Sequence, residues 1–158
     1  MRIKFVTDRT IDVPGESHQN LRFDGLDLHR VILEELDLKN STFNNADLRG
    51  AFLYKSDLTN CNFSNSSLIV ADLREANLSN ADLQSCQALS CLFKKANLRR
   101  ANLEGANISS ADFTKAELQG ANMHCEGIEM AKFDNATYDN STLWPANFVP
   151  EKHGCLRV

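Results

Sequence analysis

No stretch of this sequence approaches the roughly 18 consecutive apolar residues that a membrane-spanning helix needs, so no membrane span is expected. The opening residues Met1-Arg2-Ile3-Lys4-Phe5-Val6-Thr7-Asp8-Arg9 hold no apolar run long enough for a signal-peptide core. A cytoplasmic location is therefore the expectation. An excess of one charge is missing too. The 17 Lys and Arg stand against 21 Asp and Glu, a formal net charge of −4. That is neither the basic footprint of a nucleic-acid binder nor an acidic tail. Aromatic bulk is scarce, with nine Phe, two Tyr and one Trp. A globule so rich in Ala, Asn, Asp and Ser would struggle to fill a layered core, whereas a repeat fills one by stacking each unit on the next. The five Cys are odd in number and show no paired spacing, which argues against a disulfide framework. No glycine-rich loop is present to cradle a phosphate.

What is present is a period of five. The run Ala96-Asn97-Leu98-Arg99-Arg100-Ala101-Asn102-Leu103-Glu104-Gly105-Ala106-Asn107-Ile108 repeats one pentad without a slip. From residue 21 the central residue of each pentad runs Phe23, Leu28, Leu33, Leu38, Phe43, Leu48 and onward to Phe148. That is 26 centres in unbroken register, fourteen Leu and seven Phe among them. Two residues earlier the side chain is usually Ala, Ser or Cys, and the residue between is often Asp or Asn. On an α-helix every fifth residue would wind around all faces, since each step turns the chain by about 100°. On a flat strand every fifth residue would alternate sides. A corner every five residues resolves both conflicts. It points the centre and the small residue inward and leaves three positions facing water.

Ala46-Asp47-Leu48, Ala71-Asp72-Leu73, Ala76-Asn77-Leu78 and Ala81-Asp82-Leu83 repeat the same signature. Residues 21–148 thereby resemble the pentapeptide-repeat family, whose motif is commonly written A(D/N)LXX. The resemblance implies an all-β, right-handed, quadrilateral parallel β-helix with four pentads per coil. The expected organisation is a capping segment over 1–20, the β-helix over 21–148 in about six and a half coils, and a tail over 149–158. At the usual strand spacing of about 4.8 Å the rod is roughly 31 Å long. Residues twenty apart are expected to stack. One ladder would hold Phe23, Phe43, Phe63, Leu83, Leu103, Met123 and Leu143, another Leu33, Leu53, Leu73, Phe93, Phe113 and Phe133.

Several positions depart from the pattern. Ile3, Phe5, Ile11 and Val13 alternate with polar neighbours, and Pro14-Gly15 marks a turn, so a short strand or hairpin is expected over the first coil. That coil carries Leu21, Leu26, Val31 and Leu36 in the small slots. Ala88 is the one small centre, which either leaves a void or turns Leu89 inward. Glu126 falls in an inward slot beside Gly127, where a distorted, partly solvated side is expected because an unpaired buried carboxylate is costly. The stretch from Thr137 to Pro150 resembles the C-terminal ends of cyanobacterial members. Pro145 and Pro150 sit where strand addition should stop, with Trp144 and Val149 folding over the last coil.

No catalytic constellation stands out. His124-Cys125 with Cys155 is the nearest approach to a metal fragment, but zinc sites show closer or repeated ligand pairs. Cys61, Cys86 and Cys91 occupy small inward slots, where Cys serves as a larger Ala. Asn-x-Ser sequons such as Asn65-Ser66-Ser67 are by-products of the repeat. No cofactor and no metal are expected. Two surface features invite binding. Phe52, Tyr54, Ile69, Val70, Leu89 and Leu92 map to one apolar patch, with Ile32 nearby. Lys94, Lys95, Arg99, Arg100 and Lys115 form a basic cluster without the aromatic interleaving that single-stranded nucleic acid needs. The expected function is non-enzymatic, a protein–protein interaction or regulatory scaffold with an unidentified protein partner. Neither nucleic acid nor membrane is an expected partner, and a monomer is expected. The family also contains DNA mimics of type II topoisomerase (gyrase) substrates. That alternative wants a strongly negative surface and projecting loops, and neither is visible in these mixed, uninterrupted pentads.

Overall fold

The computed structural model describes residues 2–6, 10–12 and 18–158. Val13 and Pro14-Gly15, part of the expected hairpin, lie outside the described residues. The repeat is visible in the backbone. Asn40, Asn45, Gly50, Lys55, Asn60 and Asn65 all have φ between 56° and 61°. The same left-handed conformation recurs every five residues from Asn20 to Gly120. From Gly25 to Gly120, Glu35 excepted, each such residue is the third member of a tight turn closed by a backbone bond, as in Leu26 N–H to Phe23 O at 3.1 Å and Ala46 N–H to Phe43 O at 3.1 Å.

Between turns the chain is too short to form long strands, and it pairs through single parallel bridges. Arg22 pairs with Thr42, Asp27 with Asp47, Ile32 with Phe52 and Asp37 with Asp57, each twenty residues on. The amide of each centre donates to the coil above (Leu28 N–H to Asp47 O, 2.8 Å), and the amide before the next centre donates to the coil below (Asp47 N–H to Leu26 O, 2.9 Å).

The inside is dry and stacked. Leu28, Leu33, Leu38, Leu48, Leu53 and Leu58 are fully buried, as are the Ala residues two positions before their centres from Ala46 to Ala121. Phe23, Phe43 and Phe63 stack with ring centroids 4.8 and 4.7 Å apart, and Phe93, Phe113 and Phe133 with 4.7 and 5.1 Å. These are the two Phe ladders expected from the sequence, spaced by the coil rise. Two polar residues in small slots donate to carbonyls beneath them, Ser56 Oγ to Leu33 O at 2.6 Å and Cys61 Sγ to Leu38 O at 3.0 Å, whereas the buried Ser66 hydroxyl meets no partner.

The Asp or Asn beside each centre has its own task. The amide one residue after the centre is left out of the ladder, and this side chain accepts from it: His29 N–H to Asp27 Oδ1, 3.1 Å; Ser64 N–H to Asn62 Oδ1, 2.9 Å; Arg99 N–H to Asn97 Oδ1, 3.1 Å. This is an Asx turn repeated up the rod.

The ends differ from the middle. β1 (Arg2–Phe5) and β2 (Thr10–Asp12) form an antiparallel pair, and β1 pairs antiparallel with β3 (Val31–Ile32), so the hairpin closes the lower edge of the first coil. Ile3 and Val31 are buried beneath it, while Leu26, also in a small slot, is 43 % exposed.

The unbroken register expected from the sequence fails twice near the other end. Asn107 bridges to Glu126 rather than to residue 127, and Asn122 bridges to Leu143 rather than to residue 142. Glu126 thereby moves from the expected inward slot to an outward, exposed one, and a 3₁₀ turn at Ile128–Met130 restores the count. Burying the Glu126 carboxylate without a partner would cost several kcal/mol, so the backbone shifts by about one residue instead. At the second slip Thr142 takes the inward slot and donates to Leu118 O at 2.9 Å. Leu143, expected inside, is 50 % exposed. Ala88 stays in register and buried, and Leu89 does not turn inward.

Bridging stops at the prolines. Trp144 stacks on Phe148 (5.1 Å) and meets Phe133 edge-on (5.9 Å), closing the last coil. Val149 remains exposed. A 3₁₀ turn at Pro150–His153 follows, and pairing resumes where β5 (Leu156–Arg157) runs parallel to β4 (Thr137–Tyr138).

Candidate functional site

The twenty-residue stacking decides which outward side chains share a face. Ile32, Phe52, Asp72, Leu92 and Asp112 form one bridged row. Phe52 and Leu92 are half-buried and Ile32 is 38 % exposed. Asp72 interrupts the apolar row between Phe52 and Leu92. Its carboxylate holds Arg74 at 2.6 Å, and that guanidinium keeps the carboxyl below its ordinary pKa against the opposing effect of burial. The expected single apolar patch is therefore split by an ion pair on this row. Around the neighbouring corner Ile69 and Leu89 lie one coil apart and half-buried. Val70, at the corner itself, is 56 % exposed. Val70 and Phe52 line one hollow of about 350 Å³ with His29, Arg30, Arg49 and Gly50. Val6 of the N-terminal segment joins Ile32, Glu34 and Phe52 at the lower edge of the face.

The basic residues divide. Lys94 and Lys95 share a pentad with Leu92, on the same face as Phe52, and line a hollow of about 400 Å³ with Tyr54, Arg74 and Glu75. Tyr54 carries Lys55 Nζ 5.0 Å and Arg74 Cζ 5.6 Å from its ring centroid. Lys55 and Arg74 are not among the residues expected from the sequence. Their signal is positional, since both fall next to Tyr54 once the chain is folded at twenty. Lys95 is paired with Glu75 at 3.0 Å. Lys115 occupies the left-handed corner one coil above Lys95. Arg99 and Arg100 fall on the next side. Arg99 is paired with Glu117 at 2.7 Å, and Arg99 and Arg100 line a polar hollow of about 620 Å³ with Asn80, Gln119 and Asp139. The cluster is thus two groups, each partly neutralised.

The chemistry inside the rod is inert. Burial pushes the Cys61 and Cys86 thiols up to about 12 and Cys91 well above its ordinary value. All five cysteines are free. Among the described residues no group of three or more His, Cys, Asp and Glu is placed to hold a metal ion, and His124-Cys125 is not joined by Cys155. No helix is long and apolar enough to cross a membrane.

A rod of left-handed corners every five residues, bridged at twenty and filled by Leu and Phe, belongs to the right-handed β-helices. The model of the family described as "Pentapeptide repeat region" matches residues 36–113, and that stretch is a pentapeptide-repeat region. No curated protein matches it. Among solved structures it is similar to HetL, a pentapeptide repeat protein involved in heterocyst differentiation regulation from the cyanobacterium Nostoc sp. strain PCC 7120. The identity there is 23 %, covering 79 % of this chain and 76 % of that one, with a TM-score of 0.45. It is also similar to the pentapeptide repeat protein Rfr23 from the cyanobacterium Cyanothece 51142 (30 % identity, 70 % and 65 % covered, TM-score 0.33). A third is alr5209 from Nostoc PCC 7120 (29 % identity, 61 % and 84 % covered, TM-score 0.34).

Proposed function

We propose that this protein is a non-enzymatic scaffold that binds another protein through the face carrying Ile32, Phe52 and Leu92. The proposed body is quadrilateral, about six and a half coils over residues 21–148, capped by 1–20 and followed by the segment 149–158. It works as a monomer in the cytoplasm.

The observation that supports this reading is the placement of Phe52 and Leu92 in a slot that most often holds Asp or Asn. In that slot Asp or Asn serves the fold by accepting from an amide, as Asn97 does from Arg99. Phe52 and Leu92 give up that service and leave apolar surface half-exposed. Apolar surface that the core does not use marks a binding site on a soluble rod. Tyr54, Ile69, Val70 and Leu89 extend it around the corner, and Lys94, Lys95 and Lys115 edge it. The Arg99–Arg100 group on the next side is a secondary contact. The interior favours a non-catalytic role: burial holds the Cys86 and Cys91 thiols neutral, and the Ser56 and Thr142 hydroxyls are spent on backbone carbonyls.

The test is the double variant F52S/L92S. It is expected to unfold at the same temperature as the parent and to lose the partner recovered by cross-linking in the native host. Retained cross-linking at equal stability would remove this face from consideration.

A further inference from the structure

We propose that the partner segment bound on this face is acidic and apolar, and that its carboxylates and carbonyls are held by unused backbone amides together with Lys94 and Lys115. The inference rests on the binding face proposed above and names what it recognises.

Backbone donors come first. In pentads with Asp or Asn before the centre, the amide after the centre is satisfied by that side chain, as in Arg74 N–H to Asp72 Oδ1 at 3.2 Å and Thr114 N–H to Asp112 Oδ1 at 2.9 Å. The accepting side chain lies on the outer surface, so the amide faces outward. Phe52 and Leu92 offer no such oxygen. Among the described residues the amides of Tyr54 and Lys94 meet no acceptor, nor do those of Ile69 and Leu89 around the corner. Four outward donors thus line the same strip as the apolar side chains. A bound segment would supply their acceptors and displace water from them.

Charge points the same way. Arg74 is neutralised by Asp72 and Lys95 by Glu75. Lys94 and Lys115 have no ion-pair partner among the described residues, and Lys115 holds the corner one coil above Lys95, the neighbour of Lys94. Two unpaired ammonium groups and an open N–H on one part of the face favour a partner that brings negative oxygen.

The corner residues give the third observation. At the corners Asn40, Asn45, Asn60 and Asn65 the left-handed backbone is occupied by a residue that tolerates it. Of the corners that border this face, which also hold Gly50, Ser90, Lys55 and Glu75, one carries Val70 (φ 51°) and two carry Lys95 and Lys115. A β-branched residue there is strained, and its side chain lines the hollow beside Phe52. The apolar hollow at Val70 and Phe52 then takes a hydrophobic side chain, and the Lys94–Lys115 end takes a carboxylate.

The test is a selection of random peptides displayed on phage against the immobilised full chain. The enriched peptides are then synthesised and titrated against the parent, F52S, L92N and K94A/K115A. Leu92→Asn restores the usual slot residue and satisfies the Lys94 amide, so it keeps the fold, which thermal unfolding checks. The expected result is enrichment of Asp or Glu beside Leu, Ile or Phe, with affinity falling about tenfold in L92N and in K94A/K115A and weakening with salt. Enriched peptides that are basic or uncharged, yet lost in F52S, would overturn the acidic chemistry and leave the face standing. Peptides indifferent to F52S and L92N, or no enrichment at all, would overturn both. A mixed-sequence DNA oligonucleotide that binds the parent and is lost in L92N would replace the peptide with nucleic acid.

Discussion

Asn107 bridges to Glu126, nineteen residues along the chain, where the bridges below it span twenty. The residue removed from the count is recovered through Gly127, which turns left-handed at φ 71° against Ser109. A Cβ at Gly127 would sit 2.1 Å from Ser109 Oγ and 2.9 Å from Ser109 Cα. Gly127→Ala is accordingly expected to destabilise the protein by about 2–4 kcal/mol, combining overpacking with left-handed strain. Urea unfolding measures it, and a loss well under about 1 kcal/mol would show that the coil relaxes freely there.

Val70 presents the opposite case. Its backbone is left-handed at φ 51° and its side chain is mostly in water. Val70→Asn should raise stability by about 1 kcal/mol, because Asn tolerates this conformation at lower cost. The urea midpoint is the readout. A lower midpoint would mean that the contact of Val70 in the Phe52 hollow outweighs the strain.

Leu98 is fully buried in the middle of the stack. Leu98→Ala is expected to cost about 2–5 kcal/mol, since the coils above and below are held in register by backbone bonds and close poorly over a cavity. Denaturant unfolding of the variant decides between this and a loosely packed interior.

Acid should act through Asp139. Its Oδ1 accepts from Ser141 Oγ at 2.7 Å, Ser141 N–H at 3.0 Å and Gly120 N–H at 3.1 Å. The Ser141 hydroxyl is the leading cause that holds its pKa below the ordinary value. A carboxyl lowered by folding adds stability that is fully present above about pH 4. That stability is lost as the pH falls through the lowered value. Asp139→Asn keeps an accepting oxygen but cannot titrate. It should therefore flatten the loss of urea midpoint between about pH 5 and pH 3. An unchanged slope would assign the acid sensitivity elsewhere, with Asp47, lowered chiefly by its bond to Arg49, as the next residue to substitute.

The thiols provide a check on the filled interior. Cys61, Cys86 and Cys91 are buried, with pKa values pushed upward. Iodoacetamide at about pH 8 is expected to leave all three unmodified in the native protein and to label them in urea, as read by mass spectrometry. Rapid native labelling would contradict the dry core.

The chain alone determined the interior. A five-residue recurrence of Leu and Phe is compatible with one backbone only, a corner at every fifth residue, and it placed Phe23, Phe43 and Phe63 on one ladder without any structure. The cap over the first coil and the closing Trp144 were legible for the same reason, because a period announces where it ends. Tertiary structure decided the rest. The slips at Glu126 and Leu143 are invisible to a count that matches residues to a template. They arise where burying a carboxylate, or seating Thr142 beneath Leu118, outweighs one more regular bridge. The expected apolar patch could not reveal that Arg74 and Asp72 divide it, since an ion pair depends on side-chain geometry. The open amides at Tyr54 and Lys94 were equally hidden. A sequence shows which side chain is missing from the Asp/Asn slot, but only hydrogen bonds between folded coils show which donor it leaves unserved.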